Sequence, residues 1–538
     1  MIPFDPLSYP YPSQRNAVYA RNGMVAASQP LAAQAGLEVL KKGGNAIDAA
    51  IATAACLTVV EPTSNGIGGD AFAIIWTKDD KIHGLNASGP APQGISIEAV
   101  KGAGHEKMPA YGWLPVTVPG APSAWKALSD RFGRLPLTEV LQPAIDYAEK
   151  GFPISPTLGH YWNGAYRRFS EALKGPEFAG WFDTFAPAGR SPRIGELWKS
   201  AGHAATLRSI ADTGVESFYQ GELAERIDAF SREHGGFLRK EDLAAYDPEW
   251  VDPISVNYKG YDVWEIPPNG QGLVALLALN ILNDYNFSAR DAVDTHHKQM
   301  EAMKLAFTDG LRYITQHDKM SVSVERLLSS AYAETRRALI GDEAQMPKPG
   351  EPARSGTVYL AAADGEGNMI SYIQSNYMGF GSGIVIPGTG VGLQNRGHSF
   401  SLDPSHANRL EPGKKTYHTI IPGFLTKDGK ALGPFGVMGG FMQPQGHMQV
   451  VMNLVDFQLN PQAALDAPRW QWIEGKTIEI EPSFPEHLAQ SLMRKGHQIR
   501  RASGPGGFGC GQIILRDQAS GVLVGGTDWR TDGTVAAW

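Results

Sequence analysis

The apolar positions near the start of the chain predict two consecutive helices. The first is expected to begin at Ser28-Gln29-Pro30, since proline suits the first helical position, and to end at Gly43-Gly44. Asn45 then precedes a second apolar stretch, residues 46–60, which is rich in alanine. Asparagine is a preferred helix cap, and alanine lets two helix backbones approach closely. This passage therefore predicts a helical hairpin in the core.

A β-hairpin is predicted in the second half of the chain. Thr357 opens a β-prone run that ends at Asp364, and Asp364-Gly365-Glu366-Gly367 supplies the residues that a tight reversal needs. Residues 369–376 return as a second strand. Taken alone, this pattern is typical of buried hairpins in many proteins, in which Thr357 is an ordinary strand residue.

Other stretches predict a turn, a helix and a linker. The glycine-rich residues 65–72 lack the Gly-Lys-Ser/Thr ending of a phosphate loop, and the residues after them favour a strand. Residues 295–314 carry apolar side chains at helical spacing. Within them, the adjacent pair His296-His297 points to different helix faces, which favours core or solvent histidines over metal ligands. Residues 341–355 are rich in proline and typical of a linker.

Composition narrows the class of protein. A chain of 538 residues predicts two subdomains or one large layered domain. The formal net charge of -7 argues against a nucleic-acid or anionic-membrane partner. Two distant cysteines, Cys56 and Cys510, form no metal-binding or disulfide pattern. The sequence also lacks a recognisable secretion signal and a long uncharged apolar segment, so a cytoplasmic protein is expected.

Short motifs before and after the predicted hairpin indicate that it belongs to a particular kind of protein. Residues 43–50 read Gly-Gly-Asn-Ala-Ile-Asp-Ala-Ala. After the hairpin come Gly-Phe-Gly-Ser-Gly at 379–383, Asn395-Arg396-Gly397, His418-Thr419, Val437-Met438-Gly439-Gly440 and Asp466-Ala467-Pro468-Arg469-Trp470. In this order, the chain resembles the γ-glutamyltranspeptidase family of N-terminal-nucleophile hydrolases across residues 23–533.

The resemblance implies a fold and a maturation step. The implied fold is α+β, a four-layer αββα sandwich in which two sheets pack together between helices. In the family, the precursor cuts itself before a threonine, which by position is Thr357 here. The resemblance thus divides the chain into a large subunit, residues 1–356, and a small subunit, residues 357–538. Together they form one αββα unit, and no metal or organic cofactor is implied.

The chemistry explains why a threonine at a new chain start is useful. A threonine hydroxyl is a weak nucleophile until a base takes its proton. The residue's own α-amino group can act as that base, because its pKa is ~7.7–8.0 against ~10.4 for lysine. Thr357 must first be freed from Gly356, and its hydroxyl can do this by attacking the Gly356 carbonyl. Glycine leaves that attack unobstructed.

Three further positions complete the implied catalytic set. Gly439 and Gly440 follow a predicted strand, residues 431–438, and match the glycine pair whose amides form the family's oxyanion hole. Ser375 matches a second hydroxyl residue that assists the nucleophile. By residue type alone, the glycines could equally serve packing and Ser375 could face solvent.

The substrate-binding positions differ from those of the transpeptidases. The family's Arg-Glu-x-Ala-Pro motif reads Ser88-Gly89-Pro90-Ala91-Pro92 here, so its carboxylate-binding arginine is missing. The paired serines become His418-Thr419, and a glutamine and an aspartate become Arg396 and Ser399. The resemblance implies that the substrate contacts Asn395, Arg396, His418, Thr419, Tyr377 and Ser88. Arg396 could hold a carboxylate bidentately or form a structural ion pair.

These observations predict a self-processing amidohydrolase, similar to the acylase-like branch of the family. It is expected to cleave γ-glutamyl or related acyl amides through a threonine ester, with water or an amine as acceptor. An oxamate-type or glutaryl/cephalosporin-type acyl amidohydrolase is the alternative enzyme. An uncleaved, non-enzymatic binding or scaffold protein is the alternative of another class. The expected partners are a small amide substrate and the other cleavage product, in a heterodimer whose further dimerisation stays open.

Overall fold

The computed structural model describes residues 15–347, 356–504 and 506–538. The strands in these ranges are β1 (Val18–Ala20), β2 (Gly23–Ala27), β3 (Asp70–Thr77), β4 (Lys81–Ala87), β5 (Phe152–Pro153), β6 (Leu197–Trp198), β7 (Glu249–Val251), β8 (Ile254–Tyr258), β9 (Tyr261–Glu265), β10 (Gly356–Asp364), β11 (Met369–Tyr377), β12 (Gly423–Lys427), β13 (Lys430–Met438), β14 (Trp470–Glu474), β15 (Thr477–Ile480), β16 (Gln498–Arg501), β17 (Cys510–Arg516), β18 (Leu523–Thr527) and β19 (Thr534–Ala537).

The helices of the same ranges are α1 (Pro30–Lys41), α2 (Ala46–Val60), α3 (Ile97–Gly102), α4 (Ala121–Phe132), α5 (Leu137–Val140), α6 (Gln142–Lys150), α7 (Pro156–Ala172), α8 (Ala179–Phe185), α9 (Ala201–Thr213), α10 (Glu216–Tyr219), α11 (Glu222–Glu233), α12 (Lys240–Ala244), α13 (Gly272–Leu282), α14 (Val293–Tyr313), α15 (Val324–Leu327), α16 (Ser330–Arg337), α17 (Met442–Val455), α18 (Pro461–Asp466) and α19 (Glu486–Arg494). Short 3₁₀ turns occur at Pro176–Phe178, His317–Lys319 and Arg396–Ser399. From residue 348 onward, the predicted linker 341–355 lies outside the described residues.

Two large antiparallel sheets form the centre of the molecule. The first sheet has seven strands in the order β1-β18-β17-β13-β12-β9-β8. The second has seven strands in the order β19-β2-β10-β11-β3-β4-β7. The predicted hairpin, now β10 and β11, is therefore confirmed and lies in the middle of the second sheet. Its strands are buried, because helices cover one face and the other sheet covers the opposite face.

Alternation of side chains along the strands explains the layers. In β3, Ala71, Ala73 and Ile75 belong to the helix-side core, where α4 packs on this strand and α2 on the neighbouring strands β10 and β11, whereas Phe72, Ile74 and Trp76 belong to the core between the sheets. The core between the sheets continues with Tyr359, Ile373, Phe424 and Ile514. The outer face of the first sheet packs on α13 and α17, and α14 packs on α13. The four-layer αββα sandwich is thus confirmed. Its central strands carry apolar side chains on both faces, because one face packs on helices and the other on the second sheet.

The predicted helical hairpin is confirmed as α1 and α2. Gln29 caps α1, and Asn45 caps α2 through hydrogen bonds from the amides of Ile47 and Asp48. The two helices touch at Gly36, where a Cβ would lie 2.2 Å from Thr53 Oγ1. This close contact is possible because alanines line α2, which is buried along its whole length.

The helices that flank the first sheet agree with the sequence pattern. The predicted helix at 295–314 is α14, and Met300, Met303, Ala306 and Phe307 face the core, as their spacing indicates.

The glycine-rich residues 65–69 lead into β3 and not into a helix, which confirms the interpretation of that loop. Within the described ranges, no helix combines the length and the apolar character needed to cross a membrane.

Candidate active site

Two buried hydroxyl groups meet where β10 begins. Thr357 and Ser375 are both 0% exposed, and Thr357 Oγ1 donates to Ser375 Oγ at 3.1 Å. Ser375 Oγ also accepts the backbone N–H of Tyr377 at 2.8 Å. The structure therefore brings the predicted nucleophile and its predicted assistant together. It also fixes the orientation of the serine through the neighbouring backbone.

The pairing of β10 and β11 is irregular at this point. Gly356 pairs with Tyr377 and Val358 with Gln374, so an extra residue on β11 opposes Thr357. Such bulges redirect side chains and are frequent beside active sites. Tyr377 has a φ of 74°, which is a true outlier for a bulky residue. Strain of this kind clusters at functional positions, and here it occurs directly beside the hydroxyl pair.

Gly439 and Gly440 form the turn between β13 and α17. Their φ values are 139° and 62°, in the region that favours glycine. Among the described residues, neither backbone amide donates a hydrogen bond. The turn precedes the N-terminus of α17, where the helix dipole favours negative charge. Two available N–H groups at such a position have the chemistry of an oxyanion hole.

Gln271 connects this glycine turn to the strand segment on the other side of the site. Its Nε2 donates to the carbonyl oxygen of Gly440 at 2.8 Å and to that of Thr419 at 2.6 Å. Its Oε1 accepts from the Tyr417 hydroxyl at 3.0 Å. Gln271 has no predicted role from sequence. Its spatial position depends on pairing with residues about 150 positions away, which no local signal reveals.

Asp70 and His418 form a second buried pair close to the hydroxyl groups. Asp70 pairs with Ser375 across β3 and β11. His418 Nδ1 accepts the backbone N–H of Ile420, so Nε2 carries the proton and donates to Asp70 Oδ2 at 3.0 Å. Burial raises the pKa of Asp70 to about 7 and lowers the pKa of His418 well below its usual value. The imidazole is consequently neutral. The carboxyl group of Asp70 was not predicted as part of the site.

The other oxygen of Asp70 is also fully engaged. Oδ1 accepts from Gln394 Nε2 at 2.8 Å and from the backbone N–H of Gly89 at 3.1 Å. Together with His418, these donors occupy three of the roughly four acceptor positions of the carboxyl group. Asp70 therefore holds the surrounding segments together.

Among the residues that the structure describes, Arg396 differs from its neighbours because most of its guanidinium has no hydrogen-bond partner. The side chain is 0% exposed, and its Nη1 donates to Thr419 Oγ1 at 2.8 Å. Its plane lies over the ring of Tyr377, 4.2 Å from the centroid. Among the described residues, nothing accepts a hydrogen bond from Nε or Nη2. Burial lowers the pKa of Arg396 to about 10, so the group is still cationic at neutral pH.

The remaining predicted substrate-binding side chains are already bonded. Ser88 donates to Asn86 Oδ1 at 2.7 Å. Asn395 donates to the Ala110 carbonyl at 2.8 Å and accepts from the Met378 amide at 3.1 Å. Both residues are buried near the site, yet their polar atoms support the protein backbone and neighbouring side chains. Their direct contact with a substrate stays a prediction.

A cluster of metal-ligand residue types lies elsewhere, on α14. His297, Glu301 and His497 each place one donor atom within 4.8 Å of the others. However, Lys304 Nζ lies 2.7 Å from Glu301 Oε1, and the backbone amide of Gln345 donates to Glu301 Oε2. An ammonium already neutralises the carboxylate, so this donor set fits a buried ion-pair network. Local sequence could not reveal it, because His497 lies 200 positions from His297.

The candidate site thus combines two buried hydroxyl groups, two available amides and the buried cation of Arg396. These parts suit acyl transfer, in which a carbonyl carbon is attacked and its oxygen becomes negative. The candidate nucleophile is still within β10, and its α-nitrogen is part of the peptide bond to Gly356. In this continuous chain, the nitrogen that would serve as the base is therefore an amide nitrogen.

Comparison with known proteins agrees with this geometry. The family model described as Gamma-glutamyltranspeptidase matches residues 32–538. A protein of Bacillus subtilis (strain 168) named Glutathione hydrolase-like YwrD proenzyme is 36% identical over 528 residues, which cover 96% of this chain and 98% of that protein. The Oxamate amidohydrolase proenzyme of Klebsiella pneumoniae is 33% identical over 96% of this chain and 98% of its own length.

A solved structure is similar over the whole fold. The crystal structure of cephalosporin acylase from Bacillus halodurans has a TM-score of 0.96 and 65% sequence identity, and the match covers 99% of both chains. The structure of gamma-glutamyltranspeptidase from Helicobacter pylori matches 64% of this chain with a TM-score of 0.55 and 30% identity.

Proposed function

The chain belongs to the gamma-glutamyltranspeptidase family, and from this premise we propose that it activates itself by cleavage between Gly356 and Thr357. It is an amidohydrolase of the N-terminal-nucleophile type. In the proposal, Thr357 is first the agent of self-cleavage and afterwards the catalytic nucleophile. The observation that carries this assignment is the buried hydrogen bond between Thr357 Oγ1 and Ser375 Oγ, set beside a β-bulge.

The proposed processing step leaves two chains. The Thr357 hydroxyl adds to the Gly356 carbonyl, the peptide C–N bond breaks, and an ester joins residue 356 to the threonine oxygen. Water then hydrolyses the ester and leaves a carboxylate on Gly356 and an amine on Thr357. Residues 1–356 and 357–538 would stay together as a heterodimer, because β10 lies between β2 and β11 in one sheet.

The proposed catalytic cycle uses the new amine. The α-amino group of Thr357 takes the hydroxyl proton while the oxygen attacks the substrate amide. The amides of Gly439 and Gly440 stabilise the negative oxygen, and Ser375 keeps the hydroxyl oriented. The proton passes to the leaving amine, the C–N bond breaks, and an acyl ester remains on Thr357. Water, or a second amine, then releases the acyl group.

The acyl part of the substrate is proposed to lie among the remaining predicted positions. Tyr377, Arg396, His418 and Thr419 lie around one buried region, with Ser88 and Asn395 supporting its edges. This arrangement supports a small acyl amide as the substrate. It leaves open which acyl group is preferred.

The test is intact-mass analysis of the purified protein under denaturing conditions. The wild type should give two fragments that meet between Gly356 and Thr357. Thr357→Ala should remain one full-length chain without activity, whereas Thr357→Ser keeps a hydroxyl and should still be cleaved. A wild-type chain that stays whole after long incubation contradicts the proposal and favours a scaffold role. Cleavage of Thr357→Ala at the same bond would also refute the mechanism.

A further inference from the structure

A cavity of about 760 Å³ lies at the C-terminal end of α14, and none of the candidate active-site residues lines it. Its other walls are residues 319–321 and residues 403–414, which we call the cavity loop. The charged side chains that line it are four cations and two carboxylates: Arg312, Lys319, Arg409, Lys414, Asp403 and Glu411. The cavity is therefore positively charged, although the whole chain has a formal net charge of -7. A concave surface lined by one excess sign of charge attracts ions of the opposite sign.

One carboxylate faces three of these cations. Lys319 Nζ lies 2.6 Å from Glu411 Oε2, and Arg409 Nη2 lies 2.7 Å from Glu411 Oε1. Lys414 Nζ lies 3.7 Å from the same Oε1. A single negative charge cannot neutralise three positive ones, so this side of the cavity keeps a positive excess.

The opposite wall adds a further cation. Within the described ranges, Arg312 has no carboxylate oxygen within 4.0 Å, and its guanidinium lies 5.3 Å from the ring centroid of Tyr313. The second acidic residue of the cavity, Asp403, accepts hydrogen bonds at Oδ1 from the backbone N–H and the hydroxyl of Ser405, each at 2.8 Å. A guanidinium in such a position can hold an oxyanion through two parallel hydrogen bonds.

Lys414 gives the cavity loop a fixed shape. Its side chain is only 1% exposed, and Nζ donates to the carbonyl oxygens of Ala407 and Arg409 at 2.8 and 3.1 Å. Both of these residues also line the cavity. The buried ammonium thus closes the loop on itself and holds the positive wall in place.

Asn408 joins this loop to the candidate active site. Its Nδ2 donates to the carbonyl oxygen of Ser399 at 2.8 Å, and its Oδ1 accepts the backbone N–H of Tyr417 at 2.9 Å. Ser399 ends the 3₁₀ turn that begins at Arg396, and Tyr417 immediately precedes His418. Whatever fixes the cavity loop therefore also restrains two segments that line the candidate active site.

We propose that this cavity binds a small oxyanion with two or more negative charges, and that the bound anion steadies the wall of the candidate active site. Phosphate esters, diphosphates, and di- and tricarboxylates share this chemistry. Two or more negative charges match the positive excess, whereas a monovalent anion leaves part of it unbalanced. The proposal goes beyond the proposed function, because it depends neither on cleavage of the chain nor on the amide that is hydrolysed.

The first experiment is a calorimetric titration of the purified full chain at low ionic strength, since salt screens exposed charges. Inorganic pyrophosphate, citrate and acetate are compared. Pyrophosphate, citrate or both should bind with a Kd of about 1 mM or tighter. Acetate should bind at least about 10-fold more weakly, because it supplies a single charge. Binding of pyrophosphate alone would assign the site to phosphoryl groups, and binding of citrate alone to carboxylates. Absence of binding by both, or equal affinity for acetate, would overturn the proposal.

Variants then locate the bound anion. Arg312→Gln and Arg409→Gln should each weaken binding by about 10-fold, because each removes a charge-assisted hydrogen bond. Arg208→Gln removes an exposed cation that pairs with Glu149 and is the matched control, which should keep the wild-type affinity. If both cavity variants also keep that affinity, the anion binds elsewhere and the proposal fails.

Hydrogen exchange measures the effect on the active-site wall. At saturating anion, the amide of Tyr417 should exchange about threefold more slowly or less often still, because Asn408 holds it more firmly. Amides of α9 serve as the reference and should not change. An unchanged rate at Tyr417 in the saturated protein, or an equal slowing in α9, would show that the anion does not steady this wall.

Discussion

Gln271 offers a sharp test of whether the glycine turn acts in catalysis. Gln271→Met keeps the side-chain volume but removes hydrogen bonds to Thr419, Gly440 and Tyr417 at 2.6, 2.8 and 3.0 Å. Each buried partner left unsatisfied costs ~1–3 kcal/mol. Allowing for relaxation of the two carbonyls, the free energy of unfolding should fall by about 2–4 kcal/mol.

The effect on activity should be distinct from this loss of stability. Without Gln271, the Gly440 carbonyl is no longer tied to the strand segment beside Arg396, and the neighbouring amides lose their fixed direction. Removing one oxyanion donor outright costs ~10²–10³ in rate, so a displaced donor should lower kcat by about 10-fold to 10²-fold. Because the acyl pocket is unchanged, KM should stay within about threefold of the wild type.

The assay needs a control that loses similar hydrogen bonds elsewhere. Gln449 is also a buried glutamine, and its Nε2 donates to the carbonyls of Gln445 and Trp470 at 3.1 and 3.0 Å. Gln449→Met should lose comparable stability in denaturant titrations yet keep the wild-type kcat. Both proteins are compared as fully processed enzyme, checked by intact mass. If the two variants show the same kcat, Gln271 has only a structural role and the reasoning is refuted.

Three further outcomes are expected. Ser375→Ala should lower kcat of processed enzyme by about 10-fold to 10²-fold, with Ser375→Thr restoring most of it; equal rates for all three would exclude an orienting role. In thermal unfolding, Gly36→Ala should lower the free energy of unfolding by ~1–3 kcal/mol, because the new Cβ would collide with α2. Gly164→Ala should raise it by ~0.5–1 kcal/mol, because its new Cβ would meet no neighbouring side chain or other segment within 4 Å. Burial raises the pKa of Glu61 from 4.5 to about 7, so between these values the folded chain keeps a proton that the unfolded chain loses. The free energy of unfolding should therefore fall as pH rises through this window, and Glu61→Gln should flatten that slope.

Local sequence signals were sufficient for the elements that surround the site. A β-prone run and a glycine-rich reversal predict β10 and β11, and helix capping by Asn45 predicts the start of α2. These features depend on residues a few positions apart, so they can be read without knowing the tertiary fold. The catalytic positions were predicted through the order of motifs, because Thr357 and Ser375 look like ordinary strand residues in isolation.

The hydrogen bonds that hold the candidate site in place could not be predicted, because they join residues that are far apart in the sequence. Gln271 acts on residues about 150 positions away, and Asp70 bonds His418 across 348 positions. By sequence position, His418 and Arg396 have the same expected role in substrate binding. Only packing separates them: His418 is engaged by Asp70, whereas two guanidinium nitrogens of Arg396 are left without acceptors among the described residues.

The strained backbone of Tyr377 makes nucleophile and substrate recognition interdependent. A bulky residue with φ of 74° costs about 1–3 kcal/mol, which a glycine would avoid. The conformation lets one residue direct its N–H to Ser375 and its ring to the plane of Arg396. A glycine could supply the first contact but not the second, which explains why a costly tyrosine occupies this position. A change of acyl preference by substitution of Arg396 alone would therefore leave the ring of Tyr377 unsupported beside the nucleophile. Altered specificity at the wild-type rate should therefore require a second, compensating change at Tyr377.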